Sequence, residues 1–130
     1  MSGFSDYLED KVLDHVFGGN AFTAPSTLHL ALFTVAPTDT GGGTEVSGGS
    51  YARQTATFNV SGTNPTTATN AAAVEYPTAT ADYGTVVAVG IFDASSSGNL
   101  LAYAALTANK TVSSGDVFRF DAGDLDITLA

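Results

Sequence analysis

Cysteine and tryptophan are both absent from this sequence of 130 residues. Without cysteine, neither a disulfide framework nor a thiolate metal site can form, so stability has to come from packing and association. Without tryptophan, and with few other aromatic residues, the chain offers little platform on which a sugar ring could stack. Histidine occurs as His15 and His29, and neither lies in a catalytic motif. We therefore expect a protein that is not an enzyme and has no cofactor and no bound metal.

Basic side chains are scarce in this sequence. Four Lys or Arg stand against 13 Asp or Glu, which gives a formal charge of −9. Such a chain repels the phosphate groups that basic residues normally neutralise, so we expect no binding to nucleic acid. The apolar runs are shorter than a membrane-spanning helix requires, and the acidic N-terminus is unlike a secretory signal. We expect a soluble protein that binds no membrane.

Two segments resemble ligand sites but lack part of the pattern. Gly41–Gly43 could suggest a phosphate-binding loop, yet no Lys-Ser/Thr pair follows and Glu45 would repel phosphate. A mobile loop, or an arm ordered by a neighbour, is the preferred interpretation. Asp121, Asp124 and Asp126 could offer carboxylates to calcium, but their spacing matches no EF-hand loop. We expect these three residues to be solvated turn acids.

An amphipathic helix is predicted over residues 6–17. Ser5 can cap its first turn, acids in that turn favour the helix dipole, and Gly18 and Gly19 end it. Its apolar residues recur at helical spacing. A helix this short is marginal alone in water, so these side chains have to pack on something. Two alternatives stay open: they cover the chain's own core, or they pack against a neighbouring subunit.

After the glycines the apolar periodicity changes to two. Residues 27–35 place Leu28, Leu30 and Leu32 on one face and mostly apolar residues on the other, which is typical of a central strand. Further strands are predicted at 51–60, 72–76, 85–93, 100–106, 111–112, 117–120 and 125–129.

The connections between these strands indicate the fold class. Ser95–Asn99 and Ser113–Asp116 are typical hairpin turns, so neighbouring strands are expected to be antiparallel. Short antiparallel strands without intervening helices predict an all-β sandwich of two sheets, jelly-roll-like or alternatively immunoglobulin-like. We expect a single domain over residues 1–130, with a docking helix within 1–19 and the β-sandwich within 20–130.

Residues 1–19 (MSGFSDYLEDKVLDHVFGG), 28–34 (LHLALFT) and 37–39 (PTD) resemble the start of a family of small virion proteins of tailed bacteriophages. Segments similar to others that recur in this family follow at 48–54 (GGSYARQ), 76–85 (YPTATADYGT) and 90–94 (GIFDA). Members are often labelled tail fibre proteins or simply structural proteins. The resemblance implies a structural protein of the virion, assembled in the host cytoplasm.

Within that resemblance, two roles are possible. A fibre needs length from repeats or a long coil, and the sequence shows neither. A compact β-module with a docking helix suits a capsid decoration, or cement, protein, commonly a homotrimer, that binds the major capsid protein or other virion proteins and stabilises the shell. The alternative is a tail or fibre component with an adhesin role, in which the loops at 39–50 and 59–70 carry recognition.

The expected subunit interface follows from the decoration role. It contains the apolar helix residues, with Arg53 as a polar anchor to an acidic neighbour, although Arg53 could instead pair with acids of its own chain. The predicted interface residues are Phe4, Leu8, Val12, Leu13, Val16, Phe17 and Arg53.

Overall fold

The computed structural model describes residues 2–129 of the chain. In this part the helix is α1 (Asp6–Val16), as the sequence predicted to within one residue. The strands are β1 (Ser2–Phe4), β2 (Leu28–Val35), β3 (Thr44–Glu45), β4 (Gln54–Ala56), β5 (Phe58–Ser61), β6 (Thr66–Asn70), β7 (Val74–Glu75), β8 (Gly84–Phe92), β9 (Leu100–Val112), β10 (Arg119–Phe120) and β11 (Asp126–Leu129).

The strands form one large antiparallel sheet and two small ones. The large sheet has the order β1-β9-β8-β2-β3, and β4 also pairs with β2. The small sheets have the orders β10-β7 and β11-β6-β5. Val74 and Phe120 from one small sheet and Phe58 and Ile127 from the other join the core formed by the large sheet. The prediction of an all-β sandwich with one N-terminal helix is therefore confirmed.

Strand β2 lies inside the large sheet, between β8 on one edge and β3 and β4 on the other, and both of its faces contribute buried residues. Leu30 and Leu32 lie in the main core, whereas Ala31 and Phe33 belong to a second buried cluster on the opposite face. In that second cluster the ring of Phe33 stacks on that of Phe92, with centroids 6.1 Å apart. The alternation predicted for this strand is confirmed, including the apolar character of both faces.

Several strand boundaries differ from the sequence prediction. The strand expected at 51–60 is interrupted at Thr57, and its two parts, β4 and β5, belong to different sheets. The predicted loop at 59–70 contains most of β5 and all of β6, a run of threonines whose β-branched side chains favour strands. The strands expected at 100–106 and 111–112 are one strand, β9, with a register shift against β8.

The start of α1 is joined to the large sheet through Ser5. Its hydroxyl caps the helix by accepting from the backbone N–H of Leu8 at 3.2 Å, and it also donates to the carbonyl of Leu100. Its own backbone N–H donates to the carbonyl of Leu101 at 2.8 Å. The predicted cap is thus confirmed. Phe4, which the sequence analysis grouped with the apolar helix residues of the expected interface, lies instead in β1 opposite Ala102. No helix within residues 2–129 has the length and apolarity to cross a bilayer.

Replacing Ser5 with alanine tests this joint. We expect Ser5→Ala to lower the free energy of unfolding by about 1–2 kcal/mol, because the first turn loses its cap and the buried Leu100 carbonyl loses a donor. Urea unfolding followed by circular dichroism measures the change. The exposed Ser26 provides the control, and we expect Ser26→Ala to change stability by less than about 0.5 kcal/mol. Equal losses in both variants would contradict the capping role.

Candidate docking surface

The first half of α1 packs on the chain's own body. Tyr7 and Leu8 are partly buried against the main core, and Phe4, just before the helix, packs there too. Val12 is half-buried one turn further along. Of the two alternatives that the sequence left open, packing on the chain's own core therefore holds for this half of the apolar residues.

The end of α1 leaves three apolar side chains in solvent. Leu13 is 58% exposed, Val16 is 61% exposed and Phe17 is 82% exposed. Spacings of three and four residues place them side by side on one face of the helix. We call these three residues the apolar patch. Single exposed apolar residues are ordinary, but a contiguous group that includes a phenylalanine is typical of a binding surface.

Hydrogen bonds after the helix hold this end in place. The backbone N–H of Asn20 donates to the Asp14 carbonyl at 3.2 Å, and its side-chain amide donates to the Asp14 carboxylate at 2.8 Å. Nδ1 of His15 lies 3.0 Å from the Asn20 carbonyl oxygen and 3.2 Å from the backbone nitrogen of Phe22. These contacts close the glycine turn over the last helical turn, so Phe17 projects from a fixed backbone.

Acidic side chains lie on the same exposed face, toward the helix N-terminus. Asp10 precedes Leu13 by three residues and Glu9 precedes it by four, so all three share one side of the helix. Both carboxylates are exposed. Lys11 points elsewhere, with its ammonium 5.7 Å from the centroid of the Tyr7 ring. This face is therefore acidic in its first half and mostly apolar in its second, where the half-buried Asp14 accepts from the Asn20 side chain.

Arg53 is bound within its own chain. It makes a two-pronged pair with Glu45, with Nε to Oε2 at 2.9 Å and Nη2 to Oε1 at 2.8 Å. Its Nη1 donates to the carbonyls of Ala94 and Ser97, and the guanidinium lies 3.9 Å from the centroid of the Phe92 ring. With a side chain only 7% exposed, Arg53 anchors the β8–β9 turn to β3. The structure does not bring it together with the apolar patch.

Glu45 and Tyr51 complete this ion-pair cluster. The Tyr51 hydroxyl donates to the Glu45 carboxylate at 2.6 Å and accepts from the backbone N–H of Leu32 at 3.0 Å. Burial by itself would raise the pKa of Glu45, but hydrogen bonds from Arg53 and Tyr51, together with the Arg53 charge, outweigh it and lower that pKa. Burial and the bond to Glu45 both raise the pKa of Tyr51, so its phenol stays protonated and donates. Sequence reasoning missed this cluster because its members come together only when the sheet folds.

The acids near the C-terminus make contacts within the chain. The Asp121 carboxylate accepts from Arg119 at 2.8 Å, and the backbone N–H of Asp121 donates to Asp124 at 2.9 Å. Asp126 accepts from the Thr69 hydroxyl at 2.7 Å, which links β11 to β6. All three acids are exposed, as expected for turn and strand-edge acids at a surface.

The glycine-rich loop that begins at Asp39 is hydrogen-bonded to the start of α1. The Asp39 carbonyl accepts from the backbone N–H of Asp6 at 2.9 Å, and its carboxylate accepts from the Tyr103 hydroxyl at 2.5 Å. Thr38 and Gly41 form a tight turn between them. The start of the loop therefore contacts its own chain, and the expectation of a mobile loop or an arm ordered by a neighbour stays a prediction.

Comparison with protein families gives one match that covers almost the whole chain. A family described as "Podophage GP4 fiber I protein gp80" matches residues 3–128. The matched range includes α1, the apolar patch and the core strands of all three sheets. Comparison with curated proteins gives no match.

The pKa of Glu45 makes stability depend on pH. A carboxyl group whose folded pKa is lowered stabilises the fold above its ordinary pKa of 4.5, and this contribution is lost as the pH falls through the folded pKa. We expect Glu45→Gln to lower the free energy of unfolding by about 1–3 kcal/mol at neutral pH, because Arg53 and Tyr51 lose a charged partner. In strong acid the difference from wild type should shrink toward zero.

Urea unfolding of both proteins across an acid-to-neutral pH series measures this. Glu75→Gln is the matched control, since the exposed Glu75 pairs with the exposed Arg119 and should contribute less than about 1 kcal/mol. A difference between Glu45→Gln and wild type that stays constant with pH would contradict the assignment of this carboxylate.

Proposed function

Since this chain belongs to the podophage GP4 fiber I protein gp80 family, we propose that it is a fibre component of the phage virion that acts by binding other virion proteins. Membership in this family makes the chain a structural protein of the virion. The observation that carries the proposed mode of action is the apolar patch of Leu13, Val16 and Phe17, which is fixed in position and uncovered.

The family description favours a fibre role over the head decoration role that the sequence analysis preferred. The lack of repeats and of a long coil counts only against a fibre built from this chain alone. It does not count against a small module attached to longer partners. A module of this kind needs a stable fold and a surface for attachment. The β-sandwich provides the stable fold, and the apolar patch provides the surface.

We also propose that binding, and not catalysis, is the role of this chain. Nδ1 of His15 lies within hydrogen-bonding distance of backbone atoms of the turn that follows α1, and Arg53 is committed to Glu45. These side chains thus have structural tasks. The homotrimer implied by the resemblance stays a prediction, which light scattering of the purified protein would test.

Labelling of virions tests the proposed role. We expect gold-conjugated antibodies against the purified protein to mark fibres at the tail in electron micrographs of intact phage. Pre-immune serum from the same animal gives the control. Dense label over the head would favour the decoration role instead. Absence of the protein from purified virions, checked by mass spectrometry, would contradict both roles.

A further inference from the structure

We propose that the exposed face of α1 docks on a different virion protein, which presents an apolar groove flanked by basic side chains. This inference rests on the proposed function and names the chemistry of the partner for the same surface. The end of α1 with its apolar patch would occupy the groove. The basic residues of the partner would face the acids in the first half of the helix. Helices commonly bind in this way, with an apolar face in a groove of the partner.

The exposed face combines two chemistries along one line. Asp6, Asp10, Leu13 and Phe17 follow one another at steps of four, three and four residues, and all four are exposed. At 1.5 Å per residue this line is about 17 Å long, enough to fill a groove on another protein. An acidic half and an apolar half adjoin without a basic residue between them on this face.

The structure explains why this face has no cover within its own chain. Leu13 follows Leu8 by five residues, so their side chains point about 140° apart around the helix axis. Because Leu8 and Tyr7 face the core, Leu13 has to face away from it. The turn after α1 is held by Asp14 and His15, which keeps the helix end from folding back over the patch.

Charge decides between a second copy of this chain and another protein. The chain carries a formal charge of −9. Three of the acids that contribute to this charge, Asp6, Glu9 and Asp10, lie on this face beside the apolar patch. Two copies joined through this face with parallel helices would set acids against acids, and like charges across an interface oppose association. With antiparallel helices the acids of one copy would lie against the apolar patch of the other, so neither arrangement gives these acids a basic partner. A partner with lysines or arginines beside its groove would turn the same acids into attractive contacts. Charge complementarity thus favours a basic partner over self-association.

Substitutions in the phage gene test the proposal, with the number of copies per virion as the measurement. We expect Val16→Ser and Phe17→Ser to lower the copy number by about tenfold or more, the effect of losing a central apolar contact. Glu9→Lys should lower it by about threefold or more, because it opposes the basic partner. Quantitative mass spectrometry of purified virions gives the counts, and circular dichroism of each purified variant checks that it folds.

Two matched controls separate docking from general surface effects. Val60 is 71% exposed on β5, outside the helix, so Val60→Ser matches Val16→Ser in chemistry and exposure. Glu75→Lys makes the same charge change as Glu9→Lys at an exposed acid of β7, outside the helix, and it also removes the exposed ion pair with Arg119. We expect both control variants to be incorporated like the wild type.

The outcomes distinguish failure of this inference from failure of the proposed function. If the wild-type protein is present in virions but the helix variants are incorporated as well as the controls, the docking surface is wrong and the fibre role survives. Normal incorporation of Glu9→Lys would overturn the proposal that the partner is basic. A purified wild-type dimer that Phe17→Ser dissociates would assign the patch to a second copy and overturn the proposal. A wild-type protein absent from virions would overturn both the proposal and the proposed function.

Discussion

The hydrogen bonds of Ser5 fix the direction in which α1 leaves the large sheet. One residue separates β1 from α1, and its backbone and hydroxyl bind the first two carbonyls of β9. Because the helix starts at a fixed point and angle on the sheet edge, Tyr7 and Leu8 must face the core. The side chains on the opposite side, including the apolar patch, must then face solvent. The docking surface is therefore a consequence of this short connection as much as of the helix composition.

The distribution of charge follows from a second constraint, the small number of basic residues. Arg53 pairs with Glu45, Arg119 pairs with Glu75 and Asp121, and the ammonium groups of Lys11 and Lys110 each lie near an aromatic ring. All four basic side chains of the sequence are thus engaged within the chain. Within residues 2–129, none of these four side chains forms an ion pair with Asp6, Glu9 or Asp10. A basic partner of the kind proposed would supply positive charge there.

Local patterns predicted those features that depend on neighbours in the sequence. The Ser5 cap and the alternation in β2 follow from a few adjacent residues, and both were predicted correctly. The pairing of Arg53 with Glu45 depends on which strands become neighbours, so the sequence could only give it as an alternative. Helical periodicity likewise grouped Leu8 with Phe17 in one broad apolar stripe. It could not indicate which side of that stripe the sheet would cover, because the approach of α1 to β9 is set by tertiary contacts.

The small size of the chain bears on how it could contribute to a fibre. A folded chain of this length has a radius of gyration of about 14 Å, far less than the reach of a fibre. A single folded unit of this size does not supply the length of a fibre, which agrees with the proposal that it acts by binding other parts of the virion. Outside the helix and the apolar patch, the exposed large apolar residues among residues 2–129 are Val35, Val60 and Val117, which lie in three separate segments of the chain. The exposed face of α1 combines apolar side chains at its end, a backbone held by the turn after the helix, and acidic side chains in its first half. These properties suit the attachment that we propose.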